Sequence, residues 1–170
     1  MVAGLISLLL IAVSIFWVGG GSLITARNRT LAYFYEETDA GPSLDELITG
    51  ITGQVSNMTV VLGRTDGTQE LIQDLLAQVS QVNDAQNRTD MLMYEGLVQN
   101  LVASANAIEA DEDADQLSYI LATINSNYNM LSTRSYNTQV EVFNERLSVF
   151  PANVIAQVRG IARIPAVFVR

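Results

Sequence analysis

Residues 2–24, VAGLISLLLIAVSIFWVGGGSLI, carry no charged side chain, and this run constrains the chain more than any other feature. At the helical rise it extends roughly 34 Å, slightly more than the ~30 Å hydrocarbon layer of a bilayer. The run predicts an N-terminal transmembrane or assembly helix. A cleavable secretory signal would begin with basic residues and end at a small-x-small site. Here Met1 is followed directly by apolar residues, so the segment is expected to be retained. Phe16 and Trp17 stand near its far end, where aromatic rings favour the headgroup level, and Arg27 and Arg29 follow, which the positive-inside rule places in the cytoplasm. The Gly19-Gly20-Gly21 run costs roughly 1 kcal/mol per residue in helix propensity. It reads as a hinge or break at the membrane exit, or as a close helix contact through small residues. Leu8, Leu9, Ile11 and Ile15, with Gly19, Gly20 and Gly21, are expected to touch other copies of the chain.

The residue inventory narrows the chemistry. There is no cysteine and no histidine, and all nine basic residues are arginine. Thiolate chemistry and the usual general base are therefore missing, along with the commonest ligands of transition metals. A net charge of −9 repels a phosphate backbone, so nucleic acid is excluded as a partner. The carboxylate pairs Glu36-Glu37 and Glu141/Glu145 lack a His, Lys or Cys partner and read as solvated surface. The acidic segment 109–115 (EADEDAD) lacks the glycine and distal glutamate of a calcium loop. No catalytic residue, cofactor site or metal site is expected.

Beyond residue 26 the apolar spacing is helical. Asp39-Ala-Gly-Pro42 stops the first helix, and Ser43 to Glu46 forms a capping box for the next. Leu47, Ile48, Ile51, Val55, Met58 and Leu62 fall on one face. Gly63 to Gly67 interrupts the pattern, read as a short break with the direction retained before Leu71, Leu75, Val79 and Val82 resume it. The polar run Asn83 to Asp90 reads as a turn, and Met91, Leu92, Leu97, Leu101, Val102, Ala105 and Ile108 mark a further helix. A last long helix is expected from about Ala114 to Phe150, where the step from Leu131 to Tyr136 is one residue too long for a continuous seam, so its halves face different neighbours. No alternating strand pattern competes. The fold class is all-α: an N-terminal transmembrane or assembly helix (1–26), an antiparallel four-helix-type bundle (27–150) and an apolar tail (151–170) packed on the bundle or a neighbouring subunit. Tyr136, Phe143, Phe150 and Phe168 are expected at packing interfaces within the bundle or between copies, with the asparagines beside Tyr136 and Phe143 bonding the chain across them.

The C-terminal third carries Tyr136-Asn137, Val140, Phe143-Asn144 and Phe150-Pro151, then Ala152-Asn-Val-Ile-Ala156, and it resembles the ending of the LemA family. Leu23 to Asn28 (LITARN) resembles the segment that follows that family's anchor, and Leu47-Ile48 falls where the family has a Leu-Ile-Pro-Asn motif, here without the proline and asparagine. The family's tryptophan after the Arg-Asn segment is also lacking, and residues 63–67 (GRTDG) read as an insertion. The resemblance implies a small prokaryotic membrane protein with an N-terminal anchor and an antiparallel helical domain, and implies no reaction.

The expected function is a membrane-anchored, non-catalytic helical-bundle protein of LemA type, a homo-oligomeric scaffold whose partners are membrane lipid and other copies of itself. It is placed at the cell membrane as a single-pass protein with its helical domain in the cytoplasm. The alternative is an extracellular, pilus-like filament subunit that polymerises through the N-terminal helix, for which the sequons at Asn28, Asn57 and Asn87 become relevant.

Overall fold

A computed structural model describes residues 2–36, 41–85, 90–108 and 114–169, without the side chains at 2–6, 8, 9 and 12. All its elements are helices: α1 (Val2–Tyr35), α2 (Leu44–Leu62), α3 (Gln69–Asp84), α4 (Met91–Asn106), α5 (Ala114–Leu131), α6 (Ser135–Arg146) and α7 (Ala152–Arg159). Among the described residues no helix is long and apolar enough to cross a membrane, and residues 2–6, 8, 9 and 12 of the N-terminal apolar run, whose side chains are not described, lie outside that statement. The chain forms two compact units, one of residues 1–34 with 135–166 and the other of residues 35–134 with 167–170. These units do not follow the expected boundaries at residues 26 and 150.

The second unit is a four-helix bundle. Helix α2 packs on α3, α3 on α4 and α4 on α5, while α5 returns to α2. Ser43 Oγ accepts the Glu46 N–H at 3.1 Å, as the capping box requires, and Asp90 Oδ1 accepts the N–H groups of Leu92 and Met93 to start α4. Every apolar residue of the expected α2 face, from Leu47 to Leu62, is buried.

The interruption after Leu62 turns the chain back instead of preserving its direction. Six residues reach at most about 20 Å, too little to return beside a helix of about 28 Å in parallel. Since α3 nevertheless packs on α2, the two run antiparallel. The turn is held by Thr68 Oγ1, which donates to Leu62 O at 2.7 Å, and by Gly67 at φ +86°. Left-handed backbone costs a residue with a Cβ about 1–2 kcal/mol. Gly67→Ala should therefore destabilise the protein by about 1 kcal/mol, read as a lower urea midpoint with an unchanged slope.

The expected long C-terminal helix is also two helices. Helix α5 ends at Leu131, α6 begins at Ser135 and stops at Arg146, and the two halves belong to different units. The extra residue between Leu131 and Tyr136 thus marks a helix break. Within α5 the buried seam is Leu117, Ile120, Ile124 and Leu131.

In the first unit, α1 meets α6 and α7, and α6 holds the extended segment 161–166. Phe34 and Tyr136 meet edge to face with centroids 5.5 Å apart, and both are almost fully buried. Asn144 clamps the extended segment as a neighbouring strand would: its amide donates to Ile164 O at 2.8 Å, and its oxygen accepts the Ile164 N–H at 3.0 Å. Helix α7 closes through left-handed Gly160, with the Ile161 N–H donating to Ala156 O at 2.9 Å.

Candidate functional site

The part of α1 that bears on function is its surface between residues 10 and 24. At about 100° per residue, Ile11, Ile15 and Val18 form one stripe and Leu10, Val13, Trp17 and Ile24 a second. All seven side chains are exposed, Trp17 at 70% and Val18 at 74%. Together the stripes cover an arc of about 200°. Within it, Ser14 satisfies its own hydroxyl by donating to Leu10 O at 2.8 Å, so the arc presents no unpaired side-chain donor at that position. Apolar surface this extensive is larger than a helix bathed in water ordinarily leaves uncovered.

The opposite face explains two of the three glycines. Helix α1 runs unbroken through Gly19, Gly20 and Gly21, so there is neither hinge nor break. A Cβ at Gly19 would lie 2.8 Å from Ile155 Cδ1, and one at Gly20 would lie 2.8 Å from Arg159 Nε. The missing side chains let α7 of the same chain approach α1. A Cβ at Gly21 would meet nothing within 4 Å, and Gly21 falls in the exposed arc.

The remaining residues expected at interfaces divide sharply. Ile11 and Ile15 are exposed, whereas Leu8 and Leu9 lie outside the residues whose side chains are described. Tyr136, Phe143 and Phe168 are buried in their own chain and offer no surface to a second copy. Phe168 packs edge to face on Tyr128, and its N–H donates to Glu95 Oε1. Phe150 is 78% exposed. It lines an apolar cleft of about 280 Å³ between α1 and the α6–α7 turn, together with Gly19, Ser22, Arg146, Pro151 and Ile155.

Sequence reading missed the arginines of this unit, of which Arg146 lines the cleft. Arg146 Nη2 donates to Ser22 Oγ at 3.4 Å, Arg163 Nη2 donates to Ser148 Oγ at 2.7 Å, and the Arg159 guanidinium lies 5.1 Å from the Trp17 ring centroid. A count of charge by unit reveals them. Residues 1–34 and 135–166 hold five arginines and two glutamates, a net of +3, which leaves −12 for the rest of a chain whose total is −9. The overall acidity hides a cationic unit, and that unit contains α1.

Among the described residues, no three side chains of the types that bind metals gather in one place. The acidic segment 109–113 and the sequon residue Asn87 lie outside the described residues. At the other two sequons, Asn28 and Asn57 are exposed on helices. Their threonines, Thr30 and Thr59, are buried and donate to the backbone oxygens of Ala26 and Ser56. No protein-family model, curated protein or solved structure matches the chain. The LemA resemblance rests on the quoted residues alone.

Proposed function

We propose that the protein is a membrane-anchored, non-catalytic scaffold of LemA type, held at the cytoplasmic face by α1 and associating with copies of itself through the same helix. The observation that carries this reading is the exposed apolar arc of α1. In water, about 200° of uncovered aliphatic and aromatic surface is a liability; in lipid it costs nothing, and the uncharged run from Val2 has the length of a bilayer. Arg27 and Arg29 then fall on the cytoplasmic side. The absence of histidine, cysteine and lysine supports a binding or organising role over a reaction.

The test is extraction of the full-length protein from cells. An integral protein stays with the membrane pellet in alkaline carbonate and leaves it only with detergent, and the protein mass in its detergent complex, with the bound detergent subtracted, should exceed that of one chain. Release by carbonate would refute the anchor. A pilus-like filament, which would bury the same arc between copies, would instead appear as open helical particles outside the cell.

A further inference from the structure

Helix α7 and the turn before it carry a second uncovered apolar surface. Ile155 and Ala156 are buried, while Val154 and Val158, one turn apart, point away from them, with Val158 69% exposed. Val149 and Phe150 in the preceding turn are exposed as well. Three exposed arginines border this surface: Arg146 at the end of α6, Arg159 at the end of α7 and Arg163 in the segment after it. A short helix with an apolar outer face and basic residues along its edge has the pattern of an element that lies in a membrane interface.

The position of α7 along α1 identifies what covers it. Ile155 and Arg159 stand against Gly19 and Gly20. A helix entering at Val2 uses about 20 residues to cross 30 Å. The Gly19–Gly20 level is therefore where an anchored α1 reaches the headgroups, and Trp17, under Arg159, is the residue type that favours that depth. A protein partner would not require the patch to sit at this level. Charge selects the lipid, because the unit bearing the patch has a net +3 while the remainder has −12. An anionic surface attracts the first and repels the second.

We infer that the α6–α7 turn and the outer face of α7 dock on anionic phospholipid, with Val149, Phe150, Val154 and Val158 at the acyl boundary and Arg146, Arg159 and Arg163 on lipid phosphates. This rests on α1 being a membrane anchor, and the experiment separates the two claims. The chain has no cysteine, so single cysteines at Leu10, Val158 and Val60 can each carry an environment-sensitive fluorophore in the full-length protein. The protein is placed in vesicles of phosphatidylcholine, with and without phosphatidylglycerol, and quenched by nitroxide-labelled lipid. The fluorophore at Leu10 should be quenched in both vesicles and that at Val60, exposed on α2, in neither. The one at Val158 should be blue-shifted and quenched when phosphatidylglycerol is present, and much less so without it. Each of R146Q, R159Q and R163Q should weaken the docked state roughly fivefold. Molar salt, which shortens the screening length to about 3 Å, should release Val158 while Leu10 stays quenched, without relying on the substituted proteins.

If Leu10 escapes quenching, the anchor fails and the docking fails with it. If Leu10 is quenched and Val158 is not, the docking alone is overturned. A Val158 signal that shifts with the protein-to-lipid ratio but resists lipid quenching means that a second copy covers the face. Equal quenching with and without phosphatidylglycerol refutes the role of the arginines.

Discussion

Replacing Ile11 and Ile15 together with arginine should remove the protein from the carbonate-resistant membrane fraction and abolish its self-association, while the thermal unfolding of the α2–α5 bundle stays unchanged. Arginine at the centre of a membrane helix costs about 2.5–3.5 kcal/mol on insertion scales. Two such residues on one stripe therefore oppose insertion by about 6 kcal/mol, a factor above a thousand. Ile11 and Ile15 are exposed and contribute nothing to the interior of their own chain, so folding should not register the change. Fractionation and the mass of the detergent complex read the effect, and circular dichroism checks the fold. A doubly substituted protein that still sediments with membranes and keeps its stoichiometry would mean that the arc is neither lipid-facing nor an assembly surface. Removing α1 whole would be a poorer test. Leu23, Thr30 and Phe34 are buried, and Phe34 is the ring against Tyr136. The same helix carries an uncovered apolar arc between residues 10 and 24 and a core segment that includes Leu23 and Phe34.

That double character sets the limit of what the sequence reveals. Helical periodicity reports which face of a segment is apolar, so α2 could be read almost residue by residue and the capping serine located. It does not report which neighbour a face meets. The glycine run looked like a break because propensity penalises it locally. In the fold the penalty is offset by the close approach of α7, some 135 residues away in sequence and invisible to any local window. The shared spacing of α5 and α6 extends the expected bundle to residue 150; the one-residue slip at Tyr136 is the trace of the break, yet it does not say that α6 joins α1. Asn144 was legible, since an amide beside a buried aromatic stripe needs partners, and it found both of them on Ile164. The arginines of the cationic unit were hidden for a different reason. The net charge is a sum over the chain, and a sum cannot show segregation between segments that fold together from opposite ends.

Deleting residues 161–170 should leave a chain without a cooperative unfolding transition, because this stretch supplies interior to both units. Ile164, at 2% exposure, belongs to the first, and Val167 and Phe168, at 1% and 4%, to the second. Three buried apolar side chains of this size contribute about 1.5–3 kcal/mol each. Asn144 would also lose both bonds to Ile164, at about 1–3 kcal/mol for polar groups left unpaired. The total, roughly 6–12 kcal/mol, is comparable with the whole stability of an ordinary domain, about 5–15 kcal/mol. Asn144→Ala isolates the clamp from the apolar contribution. It should keep the fold and lower Tm by roughly 4–8 °C, corresponding to about 2 kcal/mol in a chain of this length. Calorimetry on the full-length, truncated and substituted proteins distinguishes the two contributions. If the truncated protein melts at the full-length temperature, the segment is dispensable and the burial of Ile164, Val167 and Phe168 does not stabilise the fold. If it melts only as far down as Asn144→Ala, the clamp and not the apolar side chains holds the tail.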